Sequence, residues 1–234
     1  MKMKKFVIIV AGGKGKRMGS DIPKQFLLLN GLPVLMHTIT AFYKYDKNAE
    51  IIIVIPEDQI SMWKKLCISY KFIISHVIVR GGDVRFQSVK NALPFITGES
   101  LVAVHDGVRP LVSNSTISLC FDSAREKGNA IPVVPIFESI RKININDSEA
   151  VDRHNYYTVQ TPQVFRHDIL IKAYEQAYVA EFTDDSTVVE KSGVKINLIE
   201  GHRENFKITN KMDMILAEAL LVQRVNYPPG SSDN

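Results

Sequence analysis

Between Val10 and Gln25 the chain reads VAGGKGKRMGSDIPKQ. Three glycines (Gly12, Gly13, Gly15) alternate with cations (Lys14, Lys16, Arg17), and a further cation, Lys24, follows Pro23. Glycine lets a backbone approach a ligand and turn its N–H groups toward it. Cations beside such a loop neutralise phosphate. The segment follows a short apolar run, Phe6 to Val10, and strand, glycine loop and cation in that order is how phosphate sites are built. An anionic ligand, a nucleoside triphosphate, is the expectation here; a solvated Gly/Lys hairpin is the alternative. Two common phosphate loops lose support: Arg17 stands where a Walker A loop needs Ser or Thr, and Met18 stands where a dinucleotide fingerprint needs its third Gly.

Four further groups follow strand-like runs or turns. In Gly81-Gly82-Asp83-Val84-Arg85-Phe86-Gln87-Ser88 the paired glycines leave room for a flat ring. Asp83 can accept from an amino group and Ser88 can bond a base or ribose, although a tight turn with an Asp cap reads almost as well. In His105-Asp106-Gly107-Val108-Arg109-Pro110, a bare carboxylate facing phosphates makes sense if Asp106 holds Mg²⁺, which takes one or two carboxylates plus phosphate oxygens. Arg109 can grip a second phosphate bidentately; a structural Asp–Arg pair is the alternative, and His105 reads as a packed strand residue. Arg153, in a Val-Asp-Arg run followed by Thr161-Pro162-Gln163, and Lys207, in Asn205-Phe206-Lys207-Ile208-Thr209, are cations that could hold an acceptor phosphate or simply be solvated. Lys207 is expected in a strand-like segment with Thr209 capping the helix after it. Thr183-Asp184-Asp185-Ser186 reads as a helix start, its acids favoured by the helix dipole.

Positioning these groups takes an α/β scaffold. Apolar, β-branched runs at 51–55, 76–79, 101–104 and 130–134 suit strands covered on both faces. Amphipathic stretches lie between them, at 34–43, 59–70, around Val89 to Ile96, and 113–127. The alternation predicts a doubly wound, mostly parallel sheet. Residues 138–160 break the rhythm and read as an inserted β-hairpin arm with strands near 140–145 and 151–159. One domain over 1–221 is expected, with a frayed tail from 222. At 234 residues and 45% hydrophobic content the chain can bury one sizeable core. A net charge of +4, spread along the chain, suits an anionic small molecule better than nucleic acid. Cys67 and Cys120 are expected as buried free thiols. No run reaches the length of a membrane helix, and the lysine-rich start lacks a cleavage site, so a cytoplasmic enzyme is expected.

Taken in order, AGGKGKRM…PKQ, GGDVRFQSV, HDGVRP, VDR, QTPQ, TDDST and ENFKIT resemble the 2-C-methyl-D-erythritol 4-phosphate cytidylyltransferase family from about Lys5 to Leu221. The resemblance implies a Rossmann-like nucleotidyltransferase, acting as a homodimer with Mg²⁺. It implies that Ala11, Gly12, Gly13, Gly15, Arg17 and Lys24 cradle the CTP triphosphate, and that Gly82, Asp83 and Ser88 read cytosine and ribose. Asp106 would hold the metal. Arg109, Ser139, Arg153, Thr161, Thr183 and Lys207 would surround methylerythritol phosphate, Arg153 reaching across the dimer from a swapped arm. Two departures stand out: Ser139 replaces a common Thr, and Gly107-Val108 replaces a common pair of alanines. Ribitol-5-phosphate cytidylyltransferases vary at the second place and are the nearest alternative. A UTP- or GTP-dependent pyrophosphorylase and a non-catalytic nucleotide-binding regulator are more distant ones.

Overall fold

In a computed structural model the chain is described over residues 3–13, 22–145 and 147–226. In chain order the elements are β1 (Lys4–Val10), β2 (Leu28–Leu29), β3 (Leu32–Pro33), α1 (Val34–Tyr45), β4 (Glu50–Ile55), α2 (Glu57–Ser69) and β5 (Val77–Arg80). There follow α3 (Arg85–Ala92), β6 (Ser100–Asp106), α4 (Asn114–Lys127), β7 (Asn129–Pro135), β8 (Ile140–Ile143), β9 (Ser148–Val151) and β10 (Tyr157–Val159). The chain closes with β11 (Gln163–Arg166), α5 (His167–Tyr174), α6 (Asp185–Lys191), β12 (Leu198–Glu200) and α7 (Lys211–Asn226).

The central sheet has the order β10-β7-β11-β6-β1-β4-β5, with β12 beside β7. The strands β6, β1, β4 and β5 pair in parallel. In this sheet, among the described residues, β10 and β11 alone run against their neighbours. This is the expected mostly parallel sheet. Each central strand is apolar on both faces, and successive side chains go to opposite sides. Val7, Ile9, Ile53, Ile55 and Ala103 pack under α1, α2 and α4 with Phe42, Trp63 and Phe121. Phe6, Ile8, Val54, Val102 and Val104 pack under α3, α5 and α6 with Phe86, Leu170 and Val189. Such two-sided burial is why these strands read as unbroken apolar runs.

Local chemistry sets the helix ends. The Ser113 hydroxyl accepts from Thr116 N–H at 3.1 Å to start α4, and Gly128, with φ +90°, ends it in the left-handed conformation that glycine tolerates. Asp184 caps α6 through a capping box with Thr187.

Three expectations change. The arm is shorter than expected: β8 and β9 form a separate two-stranded ladder, Ile140 opposite Val151. Instead of a strand over 151–159, the Asp152 carboxylate accepts from His154 N–H at 3.1 Å and starts a helical turn at Arg153–Asn155. Asp competes with strand pairing in this way, and Tyr157–Val159 then joins the edge of β7. Residues 205–209 form no strand, and Asn210, not Thr209, caps α7 by accepting from Asp213 N–H at 3.0 Å; the Thr209 hydroxyl instead donates to Asp213. Finally, α7 runs to Asn226, past the expected start of the tail. Both cysteines are free, Cys120 buried and Cys67 half-buried. Among the described residues no helix is long and apolar enough to cross a membrane.

Candidate active site

The carboxyl ends of β1, β4, β5 and β6 meet at one edge of the sheet. Val10 lies opposite both Val54 and Asp106, and Ile55 opposite Arg80. The chain leaves these strands still bonded to its neighbours: Ala11 N–H donates to Val54 C=O at 2.8 Å, Gly107 N–H to Val10 C=O at 2.8 Å, and Gly81 N–H to Ile55 C=O at 2.9 Å. Strand register thus places the glycine loop, the Gly81–Ser88 loop and Asp106 side by side, where ligands of open α/β sheets bind.

A cleft of about 240 Å³ opens there. Ala11, Gly12, Gly13 and Lys24 line one wall; Gly82, Asp83, Arg85 and Ser88 line another; Asp106 and Lys207 lie at its base and rim. Gly13 and Gly82 hold tight places. A Cβ on Gly13 would come within 3.0 Å of Lys24 Cε, and one on Gly82 within 2.3 Å of Gln87 Cγ. At Gly107 a Cβ would meet Ala11 Cβ at 3.0 Å, Leu35 Cδ1 at 3.1 Å and Val10 O at 3.2 Å, which gives a packing reason for glycine here.

Asp106 is the electrostatic centre. Its Oδ2 receives Arg109 Nε at 3.0 Å and Lys207 Nζ at 3.2 Å, while Arg85 Nε lies 3.9 Å from Oδ1. Burial alone raises a carboxyl's pKa, but Lys207, Arg85 and Arg109 together outweigh it and hold Asp106 well below the usual carboxylate range. It is therefore an anion at any working pH and no proton acceptor. Lys24 is buried in the wall and donates to Ile208 C=O at 3.1 Å, which ties the turn before β2 to the segment carrying Lys207.

Behind this row lies a support layer. Thr161 is buried, and its Oγ1 accepts from Asp106 N–H at 3.1 Å and bonds His105 Nδ1 at 3.0 Å. His105 Nε2 bonds Arg109 C=O at 3.1 Å. Burial is the main reason its pKa falls, to about 4. His105 is a neutral packing residue edge-on to Phe42. The Ser88 hydroxyl accepts from Gly82 N–H at 3.1 Å and donates to Val84 C=O at 3.1 Å, so it shapes its own loop.

Other expected site residues lie apart. Gly15 and Arg17 are outside the described residues. Arg109 backs Asp106 and does not line the cleft. Thr183 is exposed just before α6, and Ser139 is exposed between β7 and the arm. Arg153 sits in the turn after β9 and donates to Phe137 C=O. None of these three lines the cleft within one chain.

Two cleft residues escaped sequence reasoning. Arg85 stands inside the base-loop motif but drew no notice, because an arginine between glycines and a helix reads as solvated. Here it is held by Asp185 Oδ2 at 2.6 Å. Gln25 is fully buried beside Lys24; its Nε2 donates to Ala11 C=O at 2.8 Å and to Gln59 Oε1 at 2.6 Å. A fully buried amide flanking a conspicuous lysine leaves no periodic signal.

A doubly wound sheet with a glycine loop, a second loop suited to a base, and a buried carboxylate ringed by cations defines a nucleotidyltransferase. The sequence profile of 2-C-methyl-D-erythritol 4-phosphate cytidylyltransferase matches residues 5–223. The chain is 51% identical over 219 residues to the enzyme of that name from Phocaeicola vulgatus, covering 94% of this chain and 100% of that protein. It is 37% identical to the one from Syntrophus aciditrophicus, covering 94% and 97% of the two chains. Among solved structures, the 4-diphosphocytidyl-2C-methyl-D-erythritol synthase of Anaerococcus prevotii superposes with a TM-score of 0.79 at 27% identity, covering 94% and 96% of the two chains. The 2-C-methyl-D-erythritol 4-phosphate cytidylyltransferase of Thermus thermophilus gives 0.73 at 28% identity, covering 94% and 98%. The chain belongs to the 2-C-methyl-D-erythritol 4-phosphate cytidylyltransferase family.

Proposed function

We propose the following course for the reaction of this chain: transfer of CMP from CTP to 2-C-methyl-D-erythritol 4-phosphate, a step of non-mevalonate isoprenoid biosynthesis. An oxygen of the acceptor's phosphate attacks the α-phosphorus of CTP in line. The new O–P bond forms as the bond to the β-phosphate oxygen breaks, and its electron pair leaves with pyrophosphate. A phosphate monoester dianion is already a nucleophile, so no general base is required; Asp106 is held ionised among cations and His105 is buried beneath it. Catalysis then rests on holding two polyanions together and offsetting the charge that develops. The backbone of Ala11 to Gly13, with Gly15, is assigned to the triphosphate, and Arg17 together with Lys24 to the charge that develops on the α-phosphate. Lys24 faces the phosphorus under attack. Gly82, Asp83 and Ser88 shape the base pocket, and Lys207 meets the acceptor phosphate beside Asp106.

The donor set fits a divalent cation in kind. Asp106 is a hard oxygen donor lining the cleft, and no cluster of three or more His, Cys, Asp or Glu occurs among the described residues. Mg²⁺ bound through one or two carboxylates and substrate phosphates needs no such cage. Asp106 would hold it, and it would supply charge neutralisation at the nucleotide phosphates. Arg153 reaches the acceptor from the partner chain in a homodimer whose arms cross, and Ser139 and Thr183 are assigned to the same substrate. Two exposed isoleucines of the arm, Ile143 and Ile145, support this. Both substrates are polyanions, which supports a cytoplasmic location.

The observation that carries the reading is the convergence of glycine loop, base loop and cation-ringed Asp106 in one cleft. Pyrophosphate release from CTP, with methylerythritol phosphate and ribitol 5-phosphate side by side, tests it. Turnover at least about 100-fold better with methylerythritol phosphate is expected, a difference of about 2.7 kcal/mol in transition-state binding. Preference for ribitol 5-phosphate would replace the acceptor, faster turnover in parallel reactions with UTP or GTP in place of CTP would replace the nucleotide, and absence of turnover the reading itself.

A further inference from the structure

Arg85 stands in the first turn of α3, in the loop that faces the base. Its Nη2 donates to Asp185 Oδ2 at 2.6 Å. Asp185 is fully buried at the start of α6, and its Oδ1 accepts from the Tyr174 hydroxyl at 2.6 Å. The Tyr174 ring stacks on Phe86, the next residue after Arg85, with centroids 4.7 Å apart, and Phe86 also stacks on Phe182 at 5.5 Å. The first turn of α3 is thus tied to α5 and to the start of α6 by a charge-assisted hydrogen bond and an aromatic stack. Arg109 and Lys207 both hold Oδ2 of Asp106, whereas Arg85 approaches Oδ1 at 3.9 Å. A carboxylate gripped at one oxygen can swing about its last torsion, which is broad; a cation facing each oxygen opposes that rotation.

We propose that Arg85 is a positioning residue: anchored on Asp185, it orients the Asp106 carboxylate and through it the Lys207 ammonium, holding the nucleotide loop and the acceptor grip in one geometry. The inference rests on the cytidylyltransferase reading, in which Lys207 meets the acceptor phosphate. Arg85 acts through Asp106 and not by binding nucleotide.

Arg85→Lys keeps the charge but lacks the rigid fork that reaches two carboxylates at once. Its melting temperature and its CTP dissociation constant by calorimetry are expected to stay near wild type, the latter within about threefold. Its kcat for pyrophosphate release is expected to fall about 30-fold or more, because small misplacements of reacting groups cost up to about 100-fold. Asp185→Asn keeps the shape and an acceptor for Tyr174 while removing the charge, and should lower kcat in the same direction. The double variant should be no slower than the slower single one, within about threefold, because both changes break one linkage. Wild-type kcat in either single variant would overturn the inference, and so would additive losses or CTP affinity falling in step with kcat. If Arg85→Lys does not fold, kcat and CTP affinity of Asp185→Asn decide alone. A wild-type enzyme that turns over neither acceptor would remove the cytidylyltransferase reading and this inference with it.

Discussion

At the scale of single residues, the site depends on cations whose partners are already in place. Lys24 is held by the Ile208 carbonyl in the cleft wall, so its ammonium needs little reorganisation to meet a phosphate. Lys24→Ala is expected to lower kcat about 100-fold or more, the loss seen when one preorganised transition-state donor is removed. A change confined to KM in steady-state kinetics would reduce Lys24 to ground-state binding. Gly82 tests the opposite quality, room. A Cβ there collides with Gln87 Cβ at 2.6 Å as well as Cγ, so Gly82→Ala must displace the base loop. It is expected to raise the KM for CTP about tenfold, equivalent to about 1.4 kcal/mol, with the KM for the acceptor little changed. An unchanged KM for CTP would detach this loop from the base.

At the scale of elements, the join of α2 and β5 contains a titratable group that bears on stability and not on catalysis. The indole N–H of Trp63 donates to His76 Nε2 at 3.0 Å, and His76 Nδ1 lies 2.7 Å from the Ile74 carbonyl. That pairing takes neutral imidazole with its proton on Nδ1. Burial is the largest cause lowering its pKa below 6.5, with the Ile74 carbonyl pulling weakly the other way. Because the folded value lies below the unfolded one, the unfolded chain takes up the proton first as pH falls. This contribution to stability is complete above about pH 6.5 and is lost as pH falls toward the folded value. The urea midpoint, followed by the fluorescence of Trp63, the chain's one tryptophan, should drop between about pH 7.5 and about pH 5.5. In His76→Gln the drop should be smaller. An equal drop in both proteins would show that other groups set the acid sensitivity.

At the scale of the whole molecule, the cleft of one chain lacks several of the residues expected around the acceptor. Arg153, Ser139 and Thr183 do not line the cleft, and the arm that carries Arg153 near its base exposes Ile143 and Ile145 at its tip. Exposed apolar side chains of this size mark interaction surfaces when clustered. In a crossed dimer Arg153→Ala should lower kcat/KM for the acceptor about 10- to 100-fold, in line with about 1.5–3 kcal/mol for a charged hydrogen bond. Calorimetric CTP binding should be unchanged. Sedimentation should give a dimer for the wild type, and a monomer once residues 140–151 are replaced by a short polar loop. A monomeric and fully active wild type would remove the arm from the acceptor site.

Much of this was legible in the residues themselves. Unbroken apolar runs such as Phe6 to Val10 and Ile51 to Ile55 determine strands covered on both faces, because no other arrangement hides so many β-branched side chains. The glycine loop, Lys24, Asp83, Asp106 and Lys207 stand next to strand ends or turns, so their types and places already outlined the cleft. What sequence alone did not determine is how each group is used. Two-residue periodicity says nothing of a turn started by Asp152, so the pattern extends the return strand of the arm through residues that instead form a helical turn at Arg153–Asn155. The Thr161 hydroxyl turned out to hold Asp106 from behind, and Arg85 proved to be half-buried against the fully buried Asp185, a hundred positions away. Local pattern follows from near neighbours in the chain. The partners of a buried charge are chosen by the strand register that brings distant segments together, and only the tertiary structure decides that.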